Sequence, residues 1–281
     1  MLSLKTITRP LVAAAVALAV LPATASASPT RMPDAATTAS TSARGHDPKP
    51  TVVLVHGANA ESSSWQGVIA RLQGKRYPVI AFANPLRSLA GDAASLEGLL
   101  DSISGPIVLV GHSYGGMVIS AAADENPHVK SLVFVDGHIP LPGETAAELT
   151  NKYPGSQFGA ALVERPFTMP DGSTGTDLYV DLAKYRSLFT GPDVSRRDAL
   201  VDAAVQRPVT VNALNEPATA AAWQHIPSWD VIGTKDKAIP AASQLFMARR
   251  AHAQIIRIPA PHASMLTFPG PIAKVIRKAA R

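Results

Sequence analysis

Residues 106–116, PIVLVGHSYGG, constrain the fold of this chain more than any other stretch. Residues 107–110 are a short uncharged run of leucine and β-branched residues, the pattern of a strand buried on both faces of a parallel sheet. The run breaks at Gly111-His112-Ser113-Tyr114-Gly115. In this G-x-S-x-G pattern, glycines two before and two after the serine permit a tight strand-to-helix turn without Cβ clashes. Residues 117–123 are apolar and alanine-rich, as a helix packed on a sheet should be. Strand, sharp turn and helix therefore follow in order, with Ser113 at the apex and a helix N-terminus beneath its hydroxyl. Negative charge that develops beside Ser113 is favoured there.

Other buried strands are expected at 51–55, 77–83, 129–135, 228–233 and 255–258, with helices at 62–72, 89–103, 244–251 and 271–281. This alternation implies an α/β class: a mostly parallel sheet flanked by helices, with right-handed crossovers. Sites in such sheets lie at the carboxyl ends of strands, where Ala58, Ser113 and Asp136 fall. Residues 138–225 break the alternation with many prolines and glycines, and hold helical stretches expected at 177–189 and 195–206. Inserted between two sheet strands at the active-site end, this span reads as a cap that shapes the cavity and excludes water.

Ahead of the domain, Lys5 and Arg9 precede an apolar run over 11–21 and the small residues Ala23, Ala25 and Ala27. This is the layout of a secretory signal peptide over 1–27, cleaved after Ala27 or Ala25, and it makes the expected protein secreted. The run falls short of the about 20 apolar residues a membrane anchor needs. Residues 28–50, rich in Ser, Thr, Ala and Pro, read as a disordered leader, and 51–281 as one domain. With no cysteine, thiolate catalysis and cysteine-bound zinc are excluded. The net charge of +5 falls by two on loss of Lys5 and Arg9. That balance is mild, and the basic cluster at Lys274, Arg277, Lys278 and Arg281 has the spacing of a solvated helix face, so a nucleic-acid partner is not expected.

A serine hydroxyl is a weak nucleophile and needs a base, which in turn needs a carboxylate to fix its tautomer. Asp236 and His262 both follow sheet strands, so they can meet Ser113 above one sheet edge. Asp136, after the strand over 129–135, is the alternative acid. Tyr114, directly after the serine, and Ala58, in the His56-Gly57 turn after the first strand, offer backbone N–H groups as an oxyanion hole. His112 is expected to pack inside the turn, and His252 to lie on a helix surface. His46 falls in the leader, and His128, His138 and His225 in connections. No metal-ligand spacing and no phosphate-binding loop occurs, and no cofactor is expected.

With VLVHGA at 53–58, VGHSYGGMV at 110–118, PSWDVIGTKDKAIP at 227–240 and PHASML at 261–266, the chain resembles the α/β-hydrolase superfamily. It is most similar to small bacterial serine esterases related to plant methyl-ester esterases and hydroxynitrile lyases. The resemblance covers nearly all of residues 51–281. It implies Ser113 as nucleophile, His262 as base, Asp236 as acid, Ala58 and Tyr114 as oxyanion donors, and a small-molecule ester as substrate. The same triad also serves lactonases, perhydrolases and cofactor-free lyases, and a binding protein could retain the fold without catalysis. Asn59 stands where such proteins often carry an aromatic or other bulky residue.

Overall fold

The computed structural model describes residues 48–281. The expected signal peptide, and the leader up to residue 47, lie outside the described residues. From residue 48 the chain runs without regular structure into β1 (Thr51–Val55). It then passes through α1 (Gln66–Gln73), β2 (Val79–Phe82), α2 (Leu89–Asp101), β3 (Ile107–His112), α3 (Gly115–Ala122) and β4 (Val129–Val135). The insertion between β4 and β8, the expected cap, holds α4 (Ala146–Thr150), β5 (Leu162–Thr168), β6 (Thr174–Val180), α5 (Leu182–Tyr185), α6 (Arg196–Ala204), β7 (Val209–Thr210) and α7 (Val211–Asn215). The chain closes through β8 (Ser228–Gly233), α8 (Ala241–Arg250), β9 (Gln254–Ile258), α9 (Ser264–Thr267) and α10 (Pro269–Ala279).

β1, β2, β3, β4, β8 and β9 form one sheet in the order β2-β1-β3-β4-β8-β9, and every pairing in it is parallel. Successive side chains of a strand point to opposite faces, so each apolar run feeds two cores. Val53, Val55, Leu109 and Phe134 pack on one face with Leu96 and Leu100 of α2, Met117 of α3 and Met247 of α8. Val52, Leu54, Val110 and Val133 pack on the other with Val68 and Leu72 of α1 and Ile272 and Ile276 of α10. Continuous rather than alternating hydrophobicity is what a strand covered on both faces requires. Each fully buried Val, Leu or Ile side chain is worth about 1.5–3 kcal/mol, so both cores contribute to holding the sheet between its helices.

The cap departs from expectation. Residues 177–180, expected to begin a helix, instead complete β6, which pairs antiparallel with β5 over seven residue pairs and then with β7. The signal for this hairpin is Pro170-Asp171-Gly172, with Gly172 in the left-handed region at φ 86°, between two extended stretches. The helix starts only where Asp181 can cap it, its side chain accepting from the Ala183 N–H at 2.8 Å. The helix expected over 195–206 is present as α6, capped by Ser195, which accepts from the Asp198 N–H at 3.1 Å. Among the described residues no helix is long and apolar enough to cross a membrane.

Candidate active site

β3 delivers Ser113 into the left-handed region at φ 53°, a conformation non-glycine residues adopt only where the surroundings enforce it. The turn closes because Gly111 and Gly115 lie back to back: a Cβ on Gly111 would sit 2.6 Å from the Gly115 carbonyl oxygen. Gly57 is pressed against the same turn, where a Cβ would lie 2.6 Å from the Ser113 Cβ. That close approach brings Ala58, the next residue, to the cavity wall beside Ser113 and Tyr114. The Ala58 and Tyr114 N–H groups donate to no backbone carbonyl among the described residues. The Tyr114 side chain turns away and donates to Asp92 Oδ2 at 2.9 Å, so the residue can offer the cavity only its backbone.

The loop after β9 carries His262, which is almost fully buried. Its Nε2 lies 3.0 Å from Ser113 Oγ and its Nδ1 lies 2.7 Å from Asp236 Oδ2. Asp236 is in turn held in the loop after β8. Its Oδ1 accepts from the Ala238 and Ile239 N–H groups at 2.7 and 2.9 Å, and its Oδ2 from Gln244 Nε2 at 2.7 Å. With the shared proton on Nδ1, facing the carboxyl group, Nε2 presents a lone pair to the serine hydroxyl. Burial pulls the His262 imidazole down from 6.5 to about 3, leaving it neutral at neutral pH. Burial also pushes the Asp236 carboxyl up, against the pull of the Ile239 and Ala238 N–H groups and the Gln244 amide.

Asp136 is brought to a different place. Its φ of 46° aims the carboxyl at the backbone, where Oδ1 accepts from the Gly233 N–H at 2.7 Å and Oδ2 from the Ser264 N–H at 3.3 Å and the Ser264 hydroxyl. It makes no hydrogen bond to His262. Burial, and secondarily the charge of Asp236, raise its pKa well above the ordinary carboxyl value.

His112 is buried inside the turn, as expected, donating from Nε2 to the His262 carbonyl at 3.1 Å and meeting the Trp65 ring edge-on. His252 follows α8 in an exposed turn rather than lying within the helix. His128 and His225 are exposed. His138 is not solvated: it is buried, shares a 2.8 Å hydrogen bond with Thr150 Oγ1, and lines the cavity with it. Burial lowers the His138 pKa to about 4.

Three contributors escape a reading by motif: Gln244, Phe189 and the His138–Thr150 pair. Gln244 is a buried amide in α8, and Phe189 meets the His262 ring edge-on with centroids 5.1 Å apart. The only sequence trace is a polar residue at a buried helical position, Gln244. The cavity, bounded also by Phe158, Leu214, Ala238 and Ile239, encloses about 20 Å³, room for about one water.

Comparison with known proteins gives the family of the chain. The model of the "Alpha/beta hydrolase family" matches residues 52–275. A curated relative, the α/β hydrolase nvfD of Aspergillus novofumigatus, is 28% identical over 254 residues, spanning 83% of this chain and 97% of its own length. The carbendazim hydrolyzing esterase of a Nocardioides species is 34% identical over 113 residues, covering 36% of this chain and 47% of that protein. Among solved structures, polyneuridine aldehyde esterase superposes with a TM-score of 0.71 at 18% identity, over 83% of this chain and all of that one. From β1 to α10, in strand order, in the turn at Ser113 and in the family match, this chain belongs to the α/β-hydrolase family.

Proposed function

We propose that this protein is an exported serine esterase that hydrolyses carboxylic esters of short acyl groups through an acyl-enzyme. The observation that carries the reading is the unbroken hydrogen-bond chain Ser113–His262–Asp236, 3.0 and 2.7 Å long, opening on a small apolar cavity. Its two related esterases, named above for carbendazim and polyneuridine aldehyde, support the reaction class. Export rests on the basic, apolar and small-residue order of residues 5–27.

In this mechanism Ser113 Oγ attacks the ester carbonyl carbon as its proton passes to His262 Nε2, and Asp236 stabilises the imidazolium. The Ala58 and Tyr114 N–H groups bind the resulting alkoxide, each donor worth about 10²- to 10³-fold in turnover. Collapse expels the alcohol, which takes the proton from His262. Water then attacks the acyl-serine by the same route, releasing the acid and restoring Ser113.

The cavity beside Ser113 is small and mostly apolar, which favours short acyl groups. On p-nitrophenyl esters, kcat/KM should be highest for acetate and fall by at least tenfold by octanoate; a profile rising with chain length would contradict the reading. The base must be unprotonated to accept the serine proton, and burial lowers His262 from 6.5 to about 3. Lowering the pKa extends the unprotonated range towards acid, so kcat/KM should persist as pH falls through 6.5. An acid limb with its midpoint above pH 6.5 would argue against His262 as base.

A further inference from the structure

We propose that Asn59 is a positioning residue that fixes the oxyanion-binding loop to the cap, so that the Ala58 N–H is held in register only while the cap is seated. The inference rests on the reading of Ser113 as nucleophile. Asn59 directly follows Ala58, is fully buried, and makes four hydrogen bonds, every one of them to the cap. Its N–H donates to the Arg207 carbonyl at 3.0 Å. Its Nδ2 donates to the Leu178 carbonyl at 2.9 Å and to Gln206 Oε1 at 3.2 Å, and its carbonyl accepts from the Tyr185 hydroxyl at 3.2 Å. Gln206 spreads the connection: its Oε1 also accepts from the Val180 N–H, and its Nε2 donates to the Val180 and Ala203 carbonyls. The side chain and backbone of Asn59 together therefore gather β6, α5 and the segment before β7 onto the residue next to a proposed oxyanion donor.

The same part of the cap reaches the base. Tyr185 stacks on Phe189 with centroids 4.8 Å apart, the Phe189 ring meets His262 edge-on, and the Phe189 carbonyl accepts from the Ala263 N–H at 2.8 Å. His138, Thr150, Phe158 and Leu214 of the same insertion wall the small cavity beside Ser113, so a seated cap sets these contacts around a bound substrate. Asn59 is also costly as a purely structural residue. It is a non-glycine residue at φ 55°, and its buried Oδ1 has no hydrogen-bond partner among the described residues. A buried acceptor left unpaired at the edge of a reaction site fits a residue that positions its neighbour. The bulky side chain that the resemblance leads one to expect at position 59 could not make the two amide donations.

The test is steady-state hydrolysis of p-nitrophenyl acetate by the full chain, with active sites counted by a fluorophosphonate and thermal unfolding recorded. Asn59→Gly keeps the backbone freedom that φ 55° demands and deletes the amide. Tyr185→Phe keeps the ring stack and deletes the donor to Asn59. Asn59→Gly should lower kcat per titrated site by about 10- to 100-fold with KM within threefold, and Tyr185→Phe should lower kcat by a few-fold in the same pattern. A raised KM with unchanged kcat would make Asn59 a mere pocket wall and overturn the proposal. So would a lower unfolding temperature with unchanged kcat per site. Should the wild type be labelled at Ser113 yet turn over no ester, the ester reading alone fails. The labelling rates then decide: slower labelling of Asn59→Gly supports the coupling, and an equal rate overturns it. A wild type that takes no label overturns both.

Discussion

Ser113→Ala should lower kcat for p-nitrophenyl acetate by about 10⁵- to 10⁶-fold while leaving the fold intact, as removal of a nucleophile does in unrelated serine hydrolases. The substitution deletes one atom, Oγ, and keeps the Cβ that packs beside Gly57. It keeps the backbone at φ 53°, where alanine and serine are comparably disfavoured, so the turn is neither relieved nor newly strained. His262 loses its 3.0 Å partner but keeps Asp236. The unfolding temperature should therefore move by only a few degrees. What remains is binding and the oxyanion donors acting on water, about 10³- to 10⁴-fold above the uncatalysed rate. Turnover within tenfold of wild type would remove Ser113 from the mechanism.

The second large effect separates the two candidate acids. Asp236→Asn should lower kcat by about 10⁴-fold, and Asp136→Asn by less than about tenfold. The reason lies in the donors around Asp236. Two backbone N–H groups, from Ala238 and Ile239, converge on Oδ1, so an asparagine must place its carbonyl oxygen there. Its NH₂ then faces His262 Nδ1 and Gln244 Nε2, where Asp236 accepts from both. The imidazole is driven into the tautomer that carries its proton on Nε2, facing a serine hydroxyl whose proton it can no longer take. At position 136 the amide keeps an acceptor for the Gly233 N–H and touches neither His262 nor Asp236 through a hydrogen bond. Rate constants for the two variants check this directly; the opposite order would make Asp136 the acid.

The sheet is legible in the sequence because strands covered on both faces must be continuously apolar. The runs at 52–55, 107–110 and 132–135 can do little else. The turn at Ser113 is legible because its glycines are required by backbone contacts, that of Gly111 with Gly115 within the turn and that of Gly115 with Val55 at the end of β1. Placement after a strand does not choose between Asp136 and Asp236, since both follow sheet strands; only the resemblance of residues 227–240 to the family favours Asp236. The left-handed turn at Asp136 and the pairing of its carboxyl with Gly233 and Ser264 set it apart, and those contacts join residues 97 and 128 positions distant. Gln244 and Asn59 are hidden for the same reason. In sequence one is a polar residue in a helix and the other a turn residue; their partners come from Asp236 and from the cap. The β5–β6 hairpin is open to reading from Pro170-Asp171-Gly172, but Leu178, Tyr179 and Val180 at the end of β6 fit either period over so short a span.

The proposed function stands on Ser113 as a nucleophile activated by His262, and peptide mapping after reaction with a fluorophosphonate checks both roles at once, on the wild type, Ser113→Ala and His262→Ala. Expected are a stoichiometric adduct on the peptide carrying Ser113 in the wild type, no adduct in Ser113→Ala, and labelling slowed by at least a thousandfold in His262→Ala. An adduct elsewhere in the chain, or labelling of Ser113 at an unchanged rate without His262, would contradict it.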